Sequence, residues 1–348
     1  MIYKLLILSI LIFIRLSGAS SCQNSSCHQD LKAKKHLHGP MKSNGCVICH
    51  PKDKSEKEEL VGNNKVRHPL LLKSLEKNRF KEINNTCFLC HEEFKVQIKH
   101  NKTVHKPINE KSCISCHDPH QSDHKNLLKN EDNPQLCVKC HESKSEKNNF
   151  LFHRLNEMKN ACLSCHTAHF SQNKNLLLKS TTKELCLDCH SKDKKVMAWS
   201  GLELAQQHEP VAKGECTKCH NVHGGHNRFL LEKDINLTAS YSKELFPAEQ
   251  LCLKCHQNDK FTETKFRNGN KNLHTLHSVD LKNKKTCFAC HDVHGSHQGA
   301  LIRTEFEYLS KILPLKYQKT AVGGNCTTAC HKKMSYDREK EIVNEKDK

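Results

Sequence analysis

Residues 113–141 read CISCHDPHQSDHKNLLKNEDNPQLCVKCH. A Cys-x-x-Cys-His motif stands at each end, Cys113–His117 and Cys137–His141, and the first is followed three residues later by another histidine, His120. Cys162–His190 repeats the plan as CLSCHTAHFSQNKNLLLKSTTKELCLDCH, with the same 24-residue step between first cysteines. The plan returns with longer middles at Cys216–His256 and Cys287–His331, and in a degenerate form at Cys46–His91. Pairs recurring every roughly 50–70 residues mark a repeat architecture.

All 22 cysteines fall into this scheme. Nine couples are C-x-x-C: Cys46/Cys49, Cys87/Cys90, Cys113/Cys116, Cys137/Cys140, Cys162/Cys165, Cys186/Cys189, Cys216/Cys219, Cys252/Cys255 and Cys287/Cys290. Cys326/Cys330 is C-x3-C, and Cys22/Cys27 is C-x4-C. No cysteine is left for a disulfide. A histidine follows every second cysteine: His28, His50, His91, His117, His141, His166, His190, His220, His256, His291 and His331. Zinc ribbons and redox dithiols also use C-x-x-C, but neither requires that histidine. C-x-x-C-H is the attachment signature of c-type haem, with two thiols for the vinyl groups and an imidazole aimed at the iron. The chain is expected to hold ten or eleven covalent haems.

Hydrophobic residues are 36% and aromatics 5% of the chain, too few to offset chain entropy by peptide burial alone. The expected fold is therefore mostly irregular coil with short α-helices and little β, wrapped as tandem haem-pair repeats around a row of porphyrins. The formal charge of +18 reads as counter-charge to haem propionates. The lysines are spread among acids and form no concentrated basic patch, which argues against a nucleic-acid partner.

Sixteen of the 27 histidines remain after the eleven motif histidines. One group precedes each pair: His38, His105 and His208 by eight residues, His153 by nine and His277 by ten. Three of these carry a proline two residues on, as in HEPVAKGEC, which fixes a backbone turn towards the haem. A second group follows a first motif by three residues: His120, His169, His223 and His294. In the first pair His68 is expected in that second role. These ten are the candidate distal ligands, enough for two bis-histidine haems per pair. His208 serves either haem of its pair, since His223 competes with it. His36, His100, His124, His226, His274 and His297 are weighed evenly against ordinary surface or core roles, with His36 or His100 the candidates for the Cys27 haem. Leu127-Leu128, Leu176-Leu177, Leu230-Leu231 and Leu301-Ile302 each begin seven residues after a second-group histidine. They read as core positions against haem faces.

Residues 1–21 read as a secretory signal with Lys4 before the apolar run Leu5–Ile14. Cys22 fits either a haem or a lipoprotein site. The two exclude each other, and haem is the reading adopted. Residues 22–104 form an N-terminal haem region, 105–191 two compact paired repeats, 192–331 two expanded ones, and 332–348 a charged tail expected to lack structure. Short helices are expected at Lys195–Gln207 and Glu305–Leu313.

The layout H-x-P-x-x-x-G-x-C-x-x-C-H-x-x-H, with a Leu-Leu and a second C-x-x-C-H, resembles the doubled-CxxCH multihaem cytochromes of the class III superfamily. His208–His223 carries the likeness best. Those proteins include small periplasmic carriers and decahaem subunits housed in outer-membrane porins. The chain departs from the pattern after His50, where no histidine follows by three, and at Cys326–Cys330. The resemblance implies an exported electron-transfer wire, periplasmic or at the outer membrane. A quinol oxidase module or small cytochrome would be its donor, and a porin or further copies of itself a partner. Two other functions stay open. A nitrite- or tetrathionate-type reductase would need one haem with an open face, and no C-x-x-C-K flags one. An extracellular filament would need a ligand donated between subunits.

Overall fold

The computed structural model describes residues 29–43, 45–50, 59–61, 65–67, 80–130, 134–142, 153, 161–191, 204, 206–233, 235, 240, 250–256, 264–280, 284–308 and 310–345. Cys22, Cys27, His28 and His68 lie outside them, as does most of the helix expected at Lys195–Gln207. Two compact units divide the chain: Met1–Cys140 with Lys159–Leu177, and His141–Met158 with Leu178–Lys348.

In the first unit, strand β1 (His36–Leu37) pairs antiparallel with β5 (Gln121–Ser122), β2 (Glu59–Val61) with β3 (Lys65–Arg67), and β4 (Thr103–Val104) with β6 (Phe170–Ser171). In the second, β7 (Gln206–Gln207) pairs with β10 (Gly295–Ser296), and β8 (Arg267–Asn268) with β9 (Lys271–Asn272). Three of these short ladders join segments far apart in sequence without building a sheet.

Each H-x-P segment becomes a short helix: Gly39–Lys42, Lys106–Glu110 and Glu209–Ala212. The preceding histidine is the extended N-cap residue, and proline sits in the first turn, where its missing N–H has no partner to lose. The chain then returns to the proline carbonyl, as in Glu215 N–H to Pro210 O at 2.7 Å, and enters the first motif. Gly214 takes φ +72° at that turn, where an added Cβ would stand 2.4 Å from the Lys183 Cβ.

The second unit departs from expectation in its β content. Strands β11 (Glu305–Tyr308), β12 (Lys311–Lys319), β13 (Gly323–Thr328) and β14 (His331–Asp337) form a four-stranded antiparallel sheet. The helix expected at Glu305–Leu313 is thus two strands joined at Ser310, whose φ is +60°. Pro314 lies in the continuation and would break a helix interior. Phe306 and Leu315 bury their side chains against Ala289, with Tyr317 beside them. That alternation outweighs the local helix signal. The tail after His331 likewise starts as β14, paired from Thr328–His331 to Gly323–Asp337. Elsewhere burial is thin, and no large side chain among the described residues is fully buried.

Candidate haem sites

Each described C-x-x-C-H closes on itself in one helical turn. The histidine N–H donates to the first cysteine's carbonyl at 2.9 Å in Cys46–His50, 3.1 Å in Cys113–His117, 3.1 Å in Cys216–His220 and 2.9 Å in Cys287–His291. Positions i, i+3 and i+4 share one helix face, so both sulfurs and the imidazole point to the same side. Cys326–His331 has one residue too many for that turn. It is built instead on the β13–β14 hairpin, where the register shifts between Cys326 and Thr328.

The two cysteines of a couple differ in exposure. The first cysteine of every C-x-x-C couple is half-buried. The second is half-buried at Cys116, Cys165, Cys219 and Cys290, the leading motifs of the four full pairs, and exposed at Cys140, Cys189 and Cys255, the trailing motifs. Cys49 and Cys90, of the degenerate pair, and Cys330 are exposed as well. The cause is the chain's return after a leading motif. Lys129 N–H donates to Cys116 O at 2.9 Å, Glu232 N–H to Cys219 O at 2.8 Å and Arg303 N–H to Cys290 O at 2.9 Å, which covers the second cysteine. In the trailing motifs Cys255 ends a short turn, its N–H on Cys252 O at 3.2 Å, and Cys189 stands at the end of the helix Thr182–His190. Cys90 and Cys165 make the same turn, onto Cys87 O and Cys162 O, each at 3.2 Å.

The leading motif histidines have a fixed tautomer. Nδ1–H donates to a backbone carbonyl from His117 to Asn126 at 2.7 Å, from His166 to Asn175 at 2.8 Å, from His220 to Phe229 at 2.8 Å and from His291 to Ala300 at 3.1 Å. A carbonyl can only accept, so Nε2 is the unprotonated nitrogen, as metal ligation by imidazole requires. The acceptors lie in a repeated left-handed turn: Asn126-Leu127, Asn175-Leu176, Phe229-Leu230 and Ala300-Leu301 all have φ between +55° and +58°. The following residue bridges back to the same histidine, as His117 with Leu128 and His291 with Ile302. The Leu-Leu signature therefore marks the turn that orients the proximal imidazole, and its carbonyls were not legible from residue types.

Opposite these imidazoles stand others. Ring centroids are 6.2 Å apart for His38–His91, 6.0 Å for His50–His120, 6.0 Å for His117–His169, 6.1 Å for His208–His256, 6.0 Å for His220–His294 and 6.2 Å for His274–His291, with ring planes within 28°. His153–His190 is 5.9 Å apart at 59°. Two metal–nitrogen bonds of about 2 Å each, with half a ring added at either end, span about 6 Å. The gaps therefore fit one iron held between two Nε2 atoms. Nδ1–H of His38 donates to Pro119 O at 2.8 Å and that of His105 to Ala168 O at 2.9 Å, leaving Nε2 unprotonated there too. Burial pushes the pKa of His153, His169, His274 and His277 down, His274 to about 4. The neighbouring imidazoles of His190, His117, His291 and His331 respectively add to this.

The pairing crosses the repeats. His120 follows the Cys113 motif but faces His50 of the preceding pair, the role expected of His68; His169 and His294 likewise face His117 and His220. His208 faces the second motif of its own pair. His223 lies in the turn after its motif, and His141 is exposed. His274, which the spacing rules did not single out, faces His291; its only sequence signal is its place three residues before His277.

Sulfurs of successive motifs also meet. A hydrogen bond between the side chains links Cys87 to Cys113, lowering Cys113 to about 7 and raising Cys87. Cys137 acts in the same way on Cys162, and Cys186 lowers Cys216 to about 6. Such thiols move towards the nucleophilic thiolate. Burial raises Cys219, and the neighbouring sulfurs of Cys252 and Cys255 add to it; Cys49, although exposed, is raised by partial desolvation and by the sulfurs of Cys87 and Cys90. Among the described residues no three His, Cys, Asp or Glu side chains converge as a metal-ion site, so the zinc-ribbon alternative lacks its four-ligand centre there. Ile48, Leu89 and Leu163, inside the motifs, are exposed apolar side chains.

Residues 105–146 match the family model for the doubled CXXCH motif, and residues 132–303 match that for outer membrane cytochrome MtrC/MtrF-like, domains II/IV. No curated protein matches the chain. The chain is a multihaem c-type cytochrome, similar to porin-associated decahaem subunits. It binds haem c covalently, and its function is electron transfer.

Proposed function

We propose that the facing histidines are the two axial ligands of haems tethered at the motifs, and that the chain conducts electrons along a row of six-coordinate haems at the outer membrane. The observation that carries this reading is the set of imidazole pairs about one iron's width apart, with Nδ1 of the leading motif histidines tied to backbone. Bound haem supplies one-electron iron chemistry. The residues do the rest: cysteines anchor, paired imidazoles fill both axial positions, and the carbonyls of Asn126, Asn175, Phe229 and Ala300 hold the rings in place. Both cysteines of a couple form thioethers in this reading, the exposed Cys90, Cys189 and Cys255 as much as the half-buried Cys165. An exposed sulfur then marks a haem edge nearer solvent. Two imidazoles leave no open position for a small substrate, which favours a carrier over a reductase, and they avoid the rise in potential that a methionine ligand brings. Sulfur contacts such as Cys87–Cys113 set successive tethers side by side, as an unbroken conduction path needs. Export is read from residues 1–21 and the outer-membrane setting from the family resemblance. The partners follow as a small cytochrome or quinol oxidase module for input and a porin or like copies for housing.

Among the described residues no helix is long and apolar enough to cross a membrane. The test is electron paramagnetic resonance of the oxidised holo-protein with CO titration of the reduced form. Low-spin iron throughout and little CO binding are expected. A major high-spin signal with rapid CO uptake would overturn the carrier reading in favour of a reductase.

A further inference from the structure

In the interior pairs the distal imidazoles reach their haems from two segments bonded to each other. His38 N–H donates to His120 O at 3.0 Å, and His208 N–H to His294 O at 3.0 Å. His38 and His120 face His91 and His50, the two motif histidines of one pair; His208 and His294 face His256 and His220, those of another. Residues 332–348, after the pair Cys287–His331, contain no histidine. Its own downstream histidines are engaged or turned away, since His294 faces His220 and His297 is exposed.

We propose that His274, on the helical segment 273–280, is the axial ligand opposite His291 on the haem tethered by Cys287 and Cys290. The proposal rests on the reading that facing rings are axial ligands. His274 and His277 lie three apart, hence on one face, on a helix that widens to a π-turn at Leu276–Asp280, a distortion often found at functional sites. The Thr264 hydroxyl lies 3.1 Å from His274 Nδ1, and His277 Nδ1–H donates to Leu273 O at 2.7 Å, so each Nε2 is directed away from its anchor. Phe266 stands edge-on to His274 at 5.1 Å and edge-on to Tyr336 at 5.1 Å, wedging the helix against the sheet.

The β8–β9 hairpin that leads into the helix is pinned to the C-terminal chain. Gly269 N–H donates to Asp337 O at 2.7 Å, Asn268 Nδ2–H to Ile342 O at 2.8 Å, and Ile342 N–H returns to Asn268 Oδ1 at 2.8 Å. Gly269 has φ +55° and Glu341 against it, the close approach that such a turn requires. The sheet thus holds the helix where a following repeat would hold the loop.

The experiment uses full-length holo-protein. His274→Ala is expected to keep every haem by intact mass, to add one haem equivalent of high-spin ferric signal, and to let one ferrous haem bind CO. Added imidazole should restore the low-spin signal. His297→Ala is expected to change nothing. If His274→Ala sheds haem, His274→Met decides: a low-spin protein with one haem raised in potential supports the assignment, and an unchanged redox titration overturns it. Unmoved spectra in His274→Ala, or an open haem in His297→Ala, also overturn it. A wild type already rich in high-spin iron overturns the axial-pair reading and this assignment together, whereas a low-spin wild type with an unmoved His274→Ala overturns this assignment alone.

Discussion

In the pair Cys46–His91 the facing imidazoles, His38 and His120, come from two segments joined by a backbone hydrogen bond and the β1–β5 ladder. In the pair Cys287–His331 the imidazole facing His291 is His274, from the helical segment 273–280, and a four-stranded sheet stands behind it. The first arrangement needs the next repeat to be folded. In the second, His274 and the sheet both lie within residues 264–345. The comparison teaches that the repeat is not the self-sufficient unit the sequence period suggests. Imidazoles that face its motif histidines come from outside it, as His120 does for His50 and His169 for His117.

The largest expected effect comes from removing what both regions share. Chain made without haem attachment is expected to show no cooperative thermal transition by circular dichroism, because the described residues bury so little apolar surface; a sharp melt would refute this. Next is a change confined to the sheet. Gly323→Ala would place a Cβ 1.9 Å from the Tyr336 carbonyl oxygen, a backbone clash worth about 3 kcal/mol or more. It is expected to open the haems of the last pair to CO while the interior ones stay closed. Equal damage everywhere would erase the distinction between the regions.

The third effect is a single haem. His120→Ala is expected to turn one haem high-spin, the one at Cys46/Cys49 and not the one at its neighbouring motif Cys113/Cys116. Removing the Cys46/Cys49 haem by serine substitution in the same variant should abolish that signal. If removal at Cys113/Cys116 abolishes it instead, the repeats do not exchange ligands. The smallest effect tests the orienting turn. Ala300 is exposed with φ +57°, so Ala300→Gly should relieve about 1 kcal/mol of left-handed strain and raise the melting temperature slightly, with unchanged spectra.

Much of the site was legible in residue types. C-x-x-C-H states its own chemistry, and HEPVAKGEC announced a turn, which the structure builds as a proline-started helix followed by Gly214 with φ +72°. What stayed hidden is of two kinds. Spacing along a chain does not say which ring a histidine faces, because ladders such as β4–β6 are tertiary; His120 was read with its own motif, and the structure sets it opposite His50, while His68 lies outside the described residues. Backbone atoms have no residue signature, so the carbonyls at Asn126 and Ala300 could not be anticipated, nor the returning chain that shelters Cys116 and leaves Cys140 open. The C-terminal sheet was misread because its charged composition resembled a tail, while the alternation of Phe306, Leu313, Leu315 and Tyr317 was local and short.

The crossing of His120 to His50 and of His169 to His117 also gives assembly a direction. A ribosome delivers the first motif of a repeat before the imidazole that will face it, so with the ligands paired as proposed each such haem waits with one bare side until another repeat has been made. His274, by contrast, precedes the motif histidine it faces and is present when that haem arrives. With the ligands paired as proposed, vulnerability to stray oxygen or cyanide during biogenesis is confined to a moving window one repeat wide.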